Sequence, residues 1–301
     1  MRAGRRERTA FIVAFLSPAV GLFGLFVLLP LVQALGVSLT RWRGVSSQRT
    51  FVGAANYERL MQDQAFWGAL GHNLWLLLVV GVAVLSLALP VAHALRQRGH
   101  LGAVARTLAL FPQVISTVVV AILWMFLLNP SFGLVDSLIR AVGLTPPRQG
   151  WLGEPSLALP SVAGALLWSM LGFYVLLFAA GIRGLSEDVM EAAELDGATG
   201  WRRFTRVTWP MLWAVRRTAV VYLGINLLNT FAVVYLMTQG GPDRRSEVML
   251  TYLYQQAFVH SQFGYATAVA VMSLIAALGL SLTLMVLFRE PGTPVLPRRR
   301  A

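Results

Sequence analysis

The side chains best placed to act on another molecule fall in one polar segment, EAAELDGATGWRRFTRVTWP from Glu191 to Pro210, with its lead-in from Ser186. Glu187, Glu191 and Glu194 are spaced i, i+4, i+7, so a helix carries them on one face. Val189, Ala192 and Ala193 follow the i, i+3, i+4 rule and form an apolar strip beside it. Ser186 suits an N-cap, and Glu187 and Asp188 suit the positive end of a helix dipole. Asp196 then leads into Gly197, which ends or turns the helix, and Gly200 repeats that weakness. Arg202, Arg203 and Arg206 make a basic run, and Pro210 is expected to begin the next helix. The chemistry available here is recognition by charge and close packing, with no bond made or broken.

The rest of the composition agrees. All 25 basic residues are arginine and there is no cysteine. Without lysine the chain cannot complete a GxxxxGK[ST] phosphate loop, whose lysine reaches the β and γ phosphates. Schiff-base cofactors are excluded for the same reason. Without cysteine there are no disulfides, thiolate metal sites or cysteine nucleophiles. No catalytic residue, metal or cofactor is expected in this chain, and if ATP powers it, another chain binds the ATP. A net charge of +12 invites a nucleic-acid reading. That fails because the arginines flank apolar runs rather than forming one basic face.

The elements that must position the polar segment are apolar. The chain is 56% hydrophobic and 13% charged, against about a quarter charged in soluble proteins, so it is read as an all-α integral membrane protein. Six stretches reach the ~20 residues a spanning helix needs: Ala10–Val32, Leu74–Leu95, Thr107–Leu128, Leu157–Ile182, Thr218–Thr238 and Ala266–Phe288. The first is too long for the roughly 7–15-residue core of a signal peptide and reads as a signal anchor. Pro18, Pro30, Pro90, Pro112 and Pro160 lie in or near the spans, where membrane helices tolerate them. Seventeen of the 25 arginines then fall on one side, which the positive-inside rule makes cytoplasmic. Both termini and the loop 183–217 are placed there, with external loops at 33–73, 129–156 and 239–265.

Among Asp, Glu, Arg and His, only His93 enters a span, near its cytoplasmic end, where a structural, snorkelling role suffices. Ion-coupled carriers need such groups at depth or broken helices with exposed carbonyls. A stand-alone secondary carrier for a small neutral solute is therefore the alternative reading, and a membrane scaffold that recruits a soluble partner is a third. Asn226 and Asn229 share one face of the fifth span, with Tyr222 beside them, and Gln113, Ser116 and Thr117 lie in the third. Two readings stay open for these residues: interhelical hydrogen bonding, worth under about 2 kcal/mol per contact, or a polar path for a hydroxyl-rich cargo.

The segment resembles a known signature. EAA, three residues, Gly, nine residues, an aliphatic, one residue and Leu-Pro marks permeases of binding-protein-dependent ABC importers. Glu191-Ala192-Ala193, Gly197, Val207 and Pro210 match that spacing, with Val207 in place of the commoner isoleucine and Trp209 in place of leucine. FVGAANYERL from Phe51, LNPSFGLVDSLI from Leu128, WLGEPSLAL from Trp151 and MTQGGPDRRSEVMLTYLYQQAF from Met237 resemble MalF-type sugar permeases, with Gln239 at a commoner glycine. The resemblance implies a single permease domain, 1–301, of type I importer fold in the cell (inner) membrane. It implies that Glu187, Glu191, Ala192, Ala193, Asp196, Gly197, Gly200 and Pro210 serve docking on a cytosolic ATPase. It further implies a MalG-like second permease, two ATPase copies and an extracytoplasmic solute-binding protein as partners. Sugars, polyols and glycerol phosphate esters are the cargo class implied.

Overall fold

Long apolar runs leave backbone N–H and C=O groups nothing to pair with but one another, and helices result. The computed structural model describes residues 3–45, 48–94, 104, 107 and 110–288 of the chain. Four helices are long and apolar enough to cross a membrane: Ala10–Ser38, Gln64–His93, Ala158–Arg183 and Phe263–Leu287. The pair Gly200–Met211 and Trp213–Leu228, bent by 68°, makes a fifth if it is one span. The described residues thus supply four or five of the six spans expected. Thr107–Leu128 falls partly outside them and contributes the shorter helix Thr117–Leu127. Several helices also outrun their apolar stretches, since helical hydrogen bonding continues past the last apolar residue.

The chain divides into two compact units, Met1–Asp63 with Leu253–Leu274, and Gln64–Tyr252 with Ile275–Ala301. In the first, α1 (Ala3–Phe23) and α2 (Leu29–Ser38) are joined by a π-helical turn at Gly24–Leu28. A short antiparallel hairpin follows, β1 (Thr40–Arg41) on β2 (Thr50–Phe51), so the chain is mostly rather than wholly helical. Helix α3 (Ala55–Gln62) is fastened to this hairpin by side chains. Asn56 Nδ2 donates to Ser38 O and Thr40 O at 2.7 and 2.9 Å, and the Ser38 and Tyr57 hydroxyls meet at 2.6 Å.

The second unit holds the main core. Helices α4 (Gln64–Ala94), α5 (Thr117–Leu127), α6 (Leu134–Ala141) and α7 (Ala158–Arg183) precede the polar segment. Leu76, Val80, Val84 and Ala88 of α4 and Ala165, Leu166, Tyr174 and Phe178 of α7 are buried in one cluster. The recurring alanines fit the small-residue packing that lets membrane helices approach closely. Short α6 is tied down by the Trp151 Nε1–H, which donates to buried Asp136 at 2.6 Å.

The expected fifth span, Thr218–Thr238, is broken. Helix α11 (Trp213–Leu228) stops at Asn229, and α12 (Ala232–Met237) restarts after Phe231, whose backbone is far from helical at φ −136° and ψ −63°. Buried Asn73 repairs the break: its Nδ2 donates to Leu227 O at 2.9 Å and Leu228 O at 3.3 Å. Its Oδ1 accepts the Met249 N–H at 2.9 Å, opening α13 (Met249–Tyr254). One fully buried amide on α4 therefore ties two other helices, α11 and α13, to it.

Two prolines share one solution. Pro30 follows the π turn Gly24–Leu28, and Pro210 follows a second at Phe204–Thr208. Each turn is closed by the N–H of the residue before the proline, Leu29 to Gly24 O and Trp209 to Phe204 O. A proline inside a helix removes a donor and crowds the carbonyl four residues back. The wider turn moves that crowding aside without ending the helix.

Replacing Asn73 by leucine keeps its bulk but removes its bonds to the Leu227 and Leu228 carbonyls and to the Met249 N–H. The variant is expected to lose about 2–4 kcal/mol of stability, read as a lowered melting temperature of the detergent-solubilised protein. A melting temperature equal to the parent's would show that water serves these groups instead.

Candidate coupling helix and membrane path

The polar segment forms α8 (Glu187–Leu195), a turn, and then a continuous helical stretch from Gly200 to Met211 built of α9 (Gly200–Arg203), the π turn and α10 (Trp209–Met211). Ser186 adopts an N-cap backbone conformation, and its carbonyl accepts the Met190 N–H at 3.3 Å. Its hydroxyl makes no cap bond, so the start of α8 rests on backbone and on Glu187 and Asp188 in the first turn.

The end of α8 is better built. Gly197 N–H bonds Glu194 O at 3.0 Å and Ala198 N–H bonds Ala193 O at 2.8 Å. Those two bonds are the Schellman motif, which needs a left-handed residue after the cap. Gly197 supplies it at φ +76°, with open space where a Cβ would sit. Its requirement is conformational, not steric. An ion pair between Glu194 and Arg203 then spans the turn. The nine-residue separation hid that pair from a reading of helical faces, and at this exposure it contributes at most about 1 kcal/mol.

Of the expected apolar strip, only Ala193 is buried; Ala192 is exposed and Val189 is 41% exposed. Glu187, Glu191, Asp196 and Gly200 are exposed as well, and Leu195 is 89% exposed. Helix α8 thus offers the acidic row and most of its apolar atoms outward. Pro210 departs from expectation. It lies inside the Gly200–Met211 stretch, and the chain turns into α11 two residues later, at Leu212. The π turn is the reason, because it absorbs the missing donor.

Trp209, which replaces a commoner leucine, joins an aromatic ladder. Trp201 stacks on Phe204 at 5.3 Å between centroids, Phe204 meets Trp209 at 6.2 Å, and the Arg216 guanidinium lies 4.0 Å over the Trp209 ring. The ladder faces Leu89, Pro90 and His93 of α4 across an apolar cleft of about 810 Å³. His93 is exposed at its rim. Among the described residues no group of three or more His, Cys, Asp or Glu is arranged to hold a metal.

On α11, Tyr222, Asn226 and Asn229 line one face. Asn226 Nδ2 donates to Tyr222 O at 2.8 Å, and Asn229 Nδ2 to Ile225 O at 2.9 Å. Both amides therefore anchor to their own helix through nitrogen. Tyr222 is half exposed, and its ring rests 5.1 Å from that of Phe173 on α7. Gln113 is exposed in the helical stretch 110–114 that precedes α5, and among the described residues no hydrogen bond joins it to this face. Two buried polar residues escaped the sequence reading because neither sits in a periodic pattern: Asn73, and Glu247, whose carboxylate is 3.7 Å from Arg244 Nε and whose carbonyl meets His72 Nδ1 at 2.7 Å.

The fold and the chain's relatives point the same way. Residues 85–290 match the family described as "Binding-protein-dependent transport system inner membrane component". The chain belongs to that family. As an inner membrane component it is a multi-pass protein of the cell membrane, a transport subunit and not an enzyme. It is 36% identical over 277 residues to the diacetylchitobiose uptake system permease protein NgcF of Streptomyces coelicolor, across 88% of this chain and 78% of that one. It is 35% identical over 277 residues to the probable ABC transporter permease protein YurN of Bacillus subtilis, across 91% and 94%. Its fold matches a chain of a bacterial alginate ABC transporter, solved with an alginate-bound periplasmic protein, at a TM-score of 0.78 and 24% identity over 94% of this chain and 95% of that one.

Gly197→Ala is expected to weaken the end of α8 by about 1 kcal/mol through backbone strain alone. Amide exchange of residues 187–198 should then quicken about fivefold, while Gly197→Asn, which tolerates the left-handed region, stays near the parent. Equal acceleration by both variants would point to a lost contact instead.

Proposed function

We propose that this inner membrane component is the permease subunit of an ATP-driven importer that takes up a sugar, or a related polyol or glycerol phosphate ester, handed over by an extracytoplasmic solute-binding protein. The whole chain acts as one permease domain with six spans and both termini in the cytoplasm. It pairs with a second, MalG-like permease and with two copies of an ATPase subunit that carry out all ATP hydrolysis. The observation that carries this reading is the outward face of α8, an acidic row and exposed Val189 and Leu195 held by a glycine turn. Apolar side chains at such exposure on a short, otherwise polar helix suit a groove in a soluble partner. The printed role of NgcF in diacetylchitobiose uptake supports the cargo class.

In this mechanism Glu191 is the charged contact with the ATPase, Ala192 the close-packed one, and Gly197 the turn that sets the helix direction. Closure of the ATPase pair pulls on α8. The Glu194–Arg203 pair and the Gly200–Met211 stretch pass the movement to α11, which carries Tyr222, Asn226 and Asn229. Rocking of the two permeases then exposes the path to alternate sides. Along that path the Asn226 and Asn229 carbonyl oxygens, with Gln113 and Tyr222, offer hydrogen bonds to sugar hydroxyls.

Two experiments test this. Glu191→Arg should leave the complex assembled but abolish stimulation of its ATPase by the binding protein; the purified permease alone should hydrolyse no ATP in either form. Full coupling in Glu191→Arg would sink the docking role, and uptake driven by an ion gradient without ATP would favour a secondary carrier. Asn226→Leu with Asn229→Leu should lower uptake at least tenfold, the loss of about 1.4 kcal/mol of transition-state binding, with assembly unchanged. Intact uptake in that double variant would leave both residues a purely structural role.

A further inference from the structure

One group of charges has no part in this coupling scheme. The first external segment carries Arg41, Arg43, Arg49 and Arg59, half of the eight arginines on that side, where the positive-inside rule runs against them. In the first unit Arg41, Arg43 and Arg59 line a cleft of about 490 Å³, with Trp42, His260 and Tyr265. Among the described residues no Asp or Glu lines it. Its walls are braced. Gly264 N–H bonds Trp42 O at 3.1 Å, and a Cβ on Gly264 would overlap the Thr40 carbonyl, so hairpin and helix meet backbone to backbone.

The aromatic rings here are already engaged. Arg59 lies 4.0 Å over the ring of buried Tyr265 and donates Nη1–H to Gln262 Oε1 at 2.6 Å. Trp42 meets Phe263 at 5.6 Å and carries Arg49 at 4.0 Å. Stacking on a sugar ring is thus not what the cleft offers. Its free capacity is guanidinium N–H: exposed Arg41 and Arg43 form no ion pair among the described residues, and the carboxylate of nearby Asp63 accepts from the Tyr265 hydroxyl. Guanidinium forks match carboxylates in pairs of parallel hydrogen bonds.

We propose that this cleft is a docking site for surface Asp and Glu side chains of the solute-binding protein. The assignment rests on the importer reading and on the external placement of residues 33–73 and 239–265, and it adds the chemistry of the contact. Charges at such a rim act mainly on encounter rate and on its salt dependence.

The test uses the full complex in lipid nanodiscs, with ATPase activity followed against rising concentrations of its solute-binding protein at low and physiological salt. The double variant Arg41→Glu with Arg43→Glu is expected to raise the half-maximal concentration about tenfold and to flatten its salt dependence. Basal ATPase activity and assembly should not change. Arg49→Glu makes the same kind of charge change outside the cleft and should shift the value by less than about twofold. Equal effects of Arg49→Glu and the double variant, or no effect of the latter on a complex that the binding protein stimulates, would overturn the docking site. Displacement of the binding protein by millimolar galacturonate would make the cleft a small-anion site and also overturn it. A parent complex that its binding protein does not stimulate would overturn the importer reading, and the docking site with it.

Discussion

Every backbone N–H and C=O withdrawn from water must find a partner, and most of this structure is the working-out of that constraint. In the apolar runs the partners are one turn away, and helices follow. The places where a helix cannot supply them are where the architecture becomes specific. At Pro30 and Pro210 the chain widens into a π turn. At Asn229 helix α11 stops, and Asn73 bonds the last two carbonyls of that helix while receiving the first N–H of α13. A buried amide has two donors and one acceptor group, so it can serve broken helices on both sides as no apolar residue could.

The same constraint shapes α8. Helix α8 is nine residues long and mostly exposed, too short to be stable from propensity alone. It is held by its ends: acidic residues in the first turn, the Schellman bonds at Gly197, and the ion pair from Glu194 to Arg203 on the far side of the turn. Such an element has a defined direction but few packing contacts of its own. This suits the proposed docking role, in which force on α8 would reach the Gly200–Met211 stretch through the turn without being lost in a large buried interface.

The membrane path is modest by comparison. Asn226 and Asn229 anchor their nitrogens to their own helix, so neither glues one helix to another through that group. This favours a lining role over the interhelical one, with a ring of Tyr222 held against Phe173 beside them. Under the proposed path, neutral amides there hold cargo through hydrogen bonds alone, which fits a component that passes its solute on.

Composition and spacing alone determined the class of protein, the lack of a lysine-bearing phosphate loop, the acidic helix and its glycine turn, and the face shared by Asn226 and Asn229. These are local properties: periodicity, missing residue types and a left-handed requirement are written within a few positions. Tertiary structure decided where spans break, that Pro210 sits inside a helix, that Ala193 alone of its strip is buried, and that Asn73 and Glu247 matter. It also gathered Arg41, Arg43 and Arg59 with His260, more than 190 residues away in sequence, around one cleft. Those outcomes depend on which distant group is at hand to satisfy or leave a polar atom, and no window of sequence contains that information.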